Sequence, residues 1–127
     1  MAERLLIDTD VLVEYLRGRS EAAEYLEGLT SDLYLSVISV AELFTGIRGD
    51  EEKKALDQLL QGFIILPVTE KVARLGGLHR RDYRPSHGTG LADALIAATA
   101  EENGADLATF NRRHFPMVSR IEVPYER

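Results

Sequence analysis

The sequence predicts a single α/β domain with three layers, in which a mostly parallel sheet of four to five strands lies between two layers of helices. The 127 residues suffice for one hydrophobic core and are too few for two. Short apolar runs alternate along the chain with segments in which apolar residues recur at helical spacing. We therefore expect residues 1–127 to form one domain.

The predicted strands are short apolar runs, as is typical of strands buried on both faces of a parallel sheet. The runs lie at 5–7, 33–35, 63–66 and 106–109, with a fifth edge strand at 121–123 before Pro124. Their alternation with helices predicts parallel pairing. Ligands of such sheets bind beyond the carboxyl ends of the strands, so we expect the functional residues there.

The predicted helices follow from apolar residues three and four positions apart, with glycine at several ends. They cover 10–18, 21–29, 39–49, 51–61, 69–83 and 91–103. Residues 84–90 contain one proline and two glycines, which predicts an exposed loop.

The composition excludes several kinds of chemistry. With no cysteine, the chain has no disulfide, thiolate zinc site, iron–sulfur cluster or cysteine nucleophile. A net charge of −6 argues against a polycationic surface. The amino terminus lacks the apolar region of a signal peptide, and no apolar run approaches the ~18 residues of a membrane span. We expect a cytoplasmic protein without membrane contact.

Several polar residues follow or lie near predicted strand ends. Asp8 ends the first strand, and aspartate is also a common N-cap residue, so its position fits either a helix cap or a site residue. Asp10 is interpreted as a plain helix cap. Ser39 and Glu42 have the spacing of a capping box, which by itself favours a structural role for Glu42. Asn111 follows the fourth strand and could serve in a turn.

Asp93 differs from these residues because its helix is otherwise apolar. A carboxylate in such a setting is costly unless it is paired or binds a metal. If Asp8, Glu42 and Asp93 converge at one end of the sheet, they repel one another unless a divalent cation neutralises them. Oxygen ligands favour Mg²⁺ or Mn²⁺, and such a site suits water activation and attack on a phosphodiester.

Four segments together resemble the ordered motifs of a PIN domain, specifically a VapC-type toxin: LIDTDVL (6–12), SVAEL (39–43), LADALIA (91–97) and LATFNRRHF (107–115). The resemblance implies a dimeric, metal-dependent endoribonuclease that hydrolyses RNA and is inhibited by a VapB-type antitoxin encoded beside it. By position, Asp8, Glu42 and Asp93 match the metal-binding acids, and Thr109 matches a hydroxyl of the catalytic site. Asn111 stands where many members have a fourth acid, which argues against a second directly bound metal.

Basic residues flank two of these segments. Arg80, Arg81 and Arg84 precede the Asp93 helix, whereas Arg112 and Arg113 follow Asn111. Either group could bind the backbone of RNA or simply form a solvated surface. The histidines lack the spacing of zinc ligands, and the sequence supports no general-base role for His87 or His114.

Two alternative functions remain open at this point. Asp8 and Asp10 also resemble the D-x-D opening of haloacid-dehalogenase phosphatases, with a nucleophile and an acid/base, although no later lysine or paired acidic motif completes that site. A second alternative is a PIN-like binding module that acts mainly through its antitoxin complex. Metal binding without RNA cleavage would favour the binding module.

Overall fold

The computed structural model describes residues 4–127 and contains a five-stranded, fully parallel sheet in the order β3-β2-β1-β4-β5. The strands are β1 (Arg4–Ile7), β2 (Asp32–Ser36), β3 (Ile64–Leu66), β4 (Asp106–Ala108) and β5 (Ile121–Glu122). The register aligns Leu6 of β1 with Tyr34 of β2 and with Leu107 of β4. The predicted α/β class and parallel sheet are confirmed. The predicted domain of residues 1–127 extends three residues beyond the described part.

Six helices connect these strands. They are α1 (Thr9–Leu16), α2 (Ser20–Glu27), α3 (Val37–Thr45), α4 (Gly49–Leu60), α5 (Glu70–His87) and α6 (Leu91–Glu102), and a short 3-10 helix spans Arg112–His114. None of the helices in residues 4–127 is long and apolar enough to cross a membrane.

The central strand β1 divides the hydrophobic core into two layers, since successive side chains of a strand point to opposite faces. Leu5 and Ile7 pack with residues of α1, α3 and α4 on one face. Leu6 packs with Ile96 of α6 and with the fully buried Phe115 on the other face. The sheet therefore lies between two helical layers, as predicted.

The predicted exposed loop at 84–90 is wrong, because α5 continues to His87. Pro85 lacks a backbone donor, yet it lies inside the last turn of α5 and does not end the helix. The helix ends at Gly88, which has a left-handed φ of 68° and whose N–H donates to the Arg84 carbonyl at 3.0 Å.

Two further expectations differ from the structure. The hydroxyl of Ser36 caps α3 by accepting from the Ile38 N–H at 3.0 Å, so the predicted capping box of Ser39 and Glu42 does not form. Strand β3 lies at the edge of the sheet, and its Ile64 side chain is 51% exposed rather than buried. Sequence periodicity does not reveal which apolar strand occupies an edge.

Helix α5 packs across α6 at a glycine. A Cβ built on Gly76 would lie 2.6 Å from Leu95 Cδ2 and 3.2 Å from Leu95 Cα, whereas a Cβ built on the adjacent Gly77 would meet no atom of another described element within 4 Å. Gly76 therefore permits the close approach of the two helices that places the start of α6.

We predict that Gly76→Ala lowers the free energy of unfolding by about 1–3 kcal/mol, because the added methyl group overpacks the contact with Leu95. Gly77→Ala is the matched control and should be neutral or stabilise by up to about 1 kcal/mol, since alanine favours a helix. Urea unfolding followed by circular dichroism measures both. Equal effects of the two substitutions would contradict this account of the packing.

Candidate active site

The candidate site lies where the carboxyl ends of β1 and β4 meet. The Asp8 N–H donates to the Ala108 carbonyl at 2.9 Å, which continues the pairing of the strands to their ends. Asp8 therefore follows β1 at the point where Thr109 follows β4. This is the crevice in which open parallel sheets bind ligands.

Asp8 is 3% exposed, and each of its carboxylate oxygens accepts a hydrogen bond. Its Oδ1 accepts from the Thr9 N–H at 2.7 Å as the cap of α1, and its Oδ2 accepts from the Thr109 hydroxyl at 2.7 Å. Burial, together with the nearby charges of Asp10 and Asp93, raises the pKa of Asp8 to about 8 despite these hydrogen bonds. The fold therefore holds a carboxyl group whose ionised form is disfavoured without a cation.

The interpretation of Asp10 as a plain cap is wrong, because Asp8 caps α1 and Asp10 lies inside its first turn. Its Oδ2 accepts from the Phe110 N–H at 3.1 Å and from Asn111 Nδ2 at 3.3 Å. Its Oδ1 is buried and has no hydrogen-bond partner within residues 4–127. Burial raises the pKa of Asp10, and the charge of Arg127 opposes that rise. Asp10 therefore places a carboxylate beside the Asn111 side chain.

Glu42 lies on α3 and reaches the start of α1 through Thr9. The Thr9 hydroxyl donates to Glu42 Oε1 at 2.7 Å and lies 2.8 Å from the buried hydroxyl of Ser39. Glu42 itself is exposed. Its carboxylate is therefore held next to the residue that follows Asp8, although it contacts Thr9 rather than Asp8.

Asp93 lies in the first turn of α6 and is paired with a histidine. Its Oδ2 lies 3.1 Å from His114 Nδ1, and the Asp93 side chain is 29% exposed. Burial raises the pKa of Asp93, whereas His114 lowers it. The partner that an acid in an apolar helix requires is thus present, and the sequence had not assigned it.

The donor set of the site fits a hard divalent cation in its chemistry. Asp8, Asp10 and Asp93 present carboxylate oxygens, their pKa values are raised, and one carboxylate oxygen of Asp10 is buried without a hydrogen-bond partner among the described residues. Within residues 4–127, however, no three His, Asp or Glu side chains are gathered closely enough to hold an ion. Glu42 in particular would have to exchange its contact with Thr9 for one with the cation.

The helix that carries one predicted basic group, α5, contacts the 3-10 helix that carries the other. Arg84, Arg112 and Arg113 are exposed, and no ion pair involves them or Arg80 among the described residues. Arg81 is paired with its neighbour Asp82 at 2.9 Å. Four of the five candidate arginines are therefore without an ion pair in the described residues, and Arg112 and Arg113 follow Asn111 in the segment after β4.

The carboxyl-terminal segment adds a residue that sequence reasoning did not select. The Arg127 guanidinium lies 4.2 Å from the centre of the Phe110 ring, and its Nη1 lies 3.6 Å from a carboxylate oxygen of Glu14. No local motif marks Arg127. The sequence did carry a signal for Asp10, which stands two residues after Asp8. It also carried one for His114, which lies within the last of the four motifs.

The comparisons with known proteins agree with this geometry. The PIN domain model matches residues 5–121, and the chain belongs to the PIN-domain family. It is 43% identical over 124 residues to Ribonuclease VapC10 of Mycobacterium tuberculosis (strain ATCC 25618 / H37Rv), covering 95% of this chain and 92% of that relative. The resemblance predicted from the four motifs is confirmed.

Solved structures extend the likeness to the whole fold. A toxin–antitoxin complex from Klebsiella pneumoniae superposes with a TM-score of 0.83 at 27% identity, over 97% of this chain and 99% of that chain. FitAcB from Neisseria gonorrhoeae superposes with a TM-score of 0.76 at 33% identity, over 94% and 97% of the two chains. Both matches span nearly the complete chain.

We predict that the stability of the cation-free protein falls as the pH rises from about 4 to about 8. In the unfolded chain Asp8 ionises near its ordinary pKa of 3.8, whereas in the fold its pKa is about 8. Between these two pH values Asp8 is protonated in the folded state and ionised in the unfolded chain. The free energy of unfolding therefore falls by up to about 1.4 kcal/mol for each unit by which the pH rises.

Thermal unfolding in EDTA between pH 4 and pH 8 checks this dependence. Asp8→Asn should flatten the decline, because the amide does not titrate, whereas Asp57→Asn should leave it intact, since Asp57 is exposed on α4. Identical pH profiles of the wild type and Asp8→Asn would show that Asp8 does not carry the effect.

Proposed function

We propose that this protein is an endoribonuclease that acts as the toxin of a toxin–antitoxin pair. The observation that carries the proposal is that the charge of Asp93 acts on the buried Asp8 carboxyl group at the carboxyl ends of β1 and β4, with the exposed Arg112 and Arg113 in the segment that follows β4. An acidic centre suits activation of water, and a neighbouring basic surface suits the RNA backbone. Similarity to a relative named as a ribonuclease supports this choice.

We further propose that Mg²⁺ or Mn²⁺ is the cofactor, held by Asp8, Glu42 and Asp93. Such an ion would supply activation of water and stabilisation of the charge that develops on the phosphate. The oxygen-only donors and the raised pKa values of Asp8 and Asp93 support this assignment. The contact between Glu42 and Thr9 makes a movement of the Glu42 side chain part of the proposal.

The remaining site residues act by orienting these acids and the RNA. The Thr109 hydroxyl holds Oδ2 of Asp8 and accepts from the Asn111 N–H at 3.0 Å, which ties the loop after β4 to the acidic centre. Asp10 orients the Asn111 amide. Arg80, Arg84, Arg112 and Arg113 would contact phosphates, whereas the pairing of Arg81 with Asp82 makes it the weakest of the five candidates.

The partners of this function are RNA, a cognate VapB-type antitoxin and a second copy of the chain, which meet in the cytoplasm. Similarity to toxin–antitoxin complexes supports the antitoxin. The acidic crevice suggests how the antitoxin inhibits the toxin, because an arginine of the antitoxin can pair with Asp8 or Asp93 and compete with a cation. A structure of the complex with no antitoxin side chain in the crevice would refute this route.

We predict that the purified protein, freed of antitoxin, cleaves total or transfer RNA with Mg²⁺ or Mn²⁺ and not in EDTA. Asp8→Asn and Asp93→Asn should each lower the cleavage rate on the order of 100-fold or more, since each removes a charged group from the reacting centre. Gel electrophoresis of the products measures the rate.

The matched control is Asp57→Asn, which removes an exposed carboxylate that pairs with Lys53 on α4. It should cleave as the wild type does. Full activity of Asp8→Asn or Asp93→Asn would contradict the proposal that these carboxylates form the catalytic centre. Cation binding without any cleavage by the wild type would favour the binding module instead.

We predict that replacing Arg112 and Arg113 together by alanine raises KM and changes kcat little, because these residues bind phosphate rather than the reacting group. Each lost phosphate contact should reduce the slope of log affinity against log salt by about 0.7 for single-stranded RNA. Arg74→Gln is the control, since Arg74 pairs with Glu70 on the surface of α5. An unchanged salt dependence would exclude Arg112 and Arg113 from RNA binding.

A further inference from the structure

The imidazole of His114 contacts one of the proposed cation ligands. Its Nδ1 lies 3.1 Å from Asp93 Oδ2. Among residues 4–127 no other hydrogen bond to the Asp93 carboxylate is present. His114 therefore engages one oxygen of Asp93 and leaves the second free of protein donors.

The backbone of His114 is fixed on three sides. Its carbonyl accepts from the hydroxyl of the fully buried Thr89 at 2.8 Å, and its N–H donates to the Asn111 carbonyl at 2.9 Å. The next residue, Phe115, is fully buried against Leu6 and Ile96. The imidazole is thus attached to the core and to the site loop, unlike a side chain on a free surface loop.

The segment that anchors His114 also begins the helix of Asp93. Gly88 ends α5 with a left-handed φ of 68°, and a Cβ built there would lie 3.8 Å from His114 Nε2. Thr89 and Gly90 then lead into the first turn of α6, where Asp93 lies. One short connection therefore sets the positions of the histidine and the carboxylate relative to each other.

We propose that His114 is a positioning residue that orients the Asp93 carboxylate for the cation through its Nδ1 hydrogen bond. This inference rests on the proposed metal-dependent ribonuclease function. Hydrogen bonds to ligating carboxylates fix their orientation, and losing such a partner typically weakens metal affinity or activity by about 10–100-fold. His114 touches neither the RNA nor the reacting atoms in this role.

Three substitutions separate positioning from a general structural effect. His114→Ala removes the hydrogen bond, His114→Asn places an amide nitrogen near the position of Nδ1, and His114→Gln places one near the position of Nε2. His87→Ala is the control, because the His87 ring contacts Ser86 and Tyr83 at the end of α5. Circular dichroism establishes that each variant is folded.

The first readout is Mn²⁺ affinity, measured without RNA by electron paramagnetic resonance of the free ion. The second is the rate of RNA cleavage at saturating RNA. We expect His114→Ala and His114→Gln to weaken Mn²⁺ binding by about 10–100-fold and to lower kcat with little change in KM. His114→Asn should recover most of both losses, and His87→Ala should match the wild type.

The outcomes distinguish this inference from the proposed function. A wild type that neither binds Mn²⁺ nor cleaves RNA overturns the proposed function and this inference with it. A wild type that does both, with His114→Ala unchanged in Mn²⁺ affinity, overturns the role of His114 alone. Equal losses in His114→Asn and His114→Ala also overturn it, because the Nδ1 hydrogen bond would then not be the cause.

A measurement on the wild-type side chain keeps the inference testable if the His114 variants do not fold. In the cation-free protein, the ¹⁵N NMR signal of His114 Nδ1 should shift on Asp93→Asn and stay in place on Asp57→Asn. Variants of His79 and His87 assign the three histidine signals by elimination. An Nδ1 signal that is identical in the wild type and Asp93→Asn would show that the pair does not form in solution.

Discussion

The burial of the Asp8 carboxylate at the junction of β1 and β4 is the constraint on which the site depends. A charged group removed from water is costly unless hydrogen bonds or a counter-charge compensate it. Here the Thr9 N–H and the Thr109 hydroxyl supply two hydrogen bonds, yet the pKa still rises to about 8. The fold thus disfavours the ionised form of Asp8, and a divalent cation bound there would stabilise that form.

The parallel sheet provides the rigid frame for this arrangement. Because β1 lies in the centre of the sheet, its residues pack into cores on both faces, and the residue that follows it is fixed from two sides. Helix α6 brings Asp93 to the same crevice, and its place is set by the close contact of Gly76 with Leu95. The helix that carries Asp93 is therefore held by a packing contact two residues further along the chain.

The site is organised in two layers of polar contacts. Asp8, Glu42 and Asp93 are the acids that the proposed chemistry uses, whereas Thr9, Thr109 and His114 each hold one of them by a hydrogen bond. Asp10 holds the backbone and side chain of the loop after β4. This division explains why a protein with asparagine at position 111 still presents an acidic centre, since Asp10 places a carboxylate beside it.

The sequence alone determined the α/β class, the parallel sheet, the PIN family and the candidate acids, because alternating apolar runs and the four ordered motifs are local signals. It misplaced the end of α5 and the cap of α3, since the Pro85 pattern and the serine spacing each fit two local structures. Only the tertiary structure paired His114 with Asp93, directed Asp10 to the loop after β4 and placed α5 against the 3-10 helix. Those contacts link residues far apart in the chain, and residue spacing carries no information about such distances.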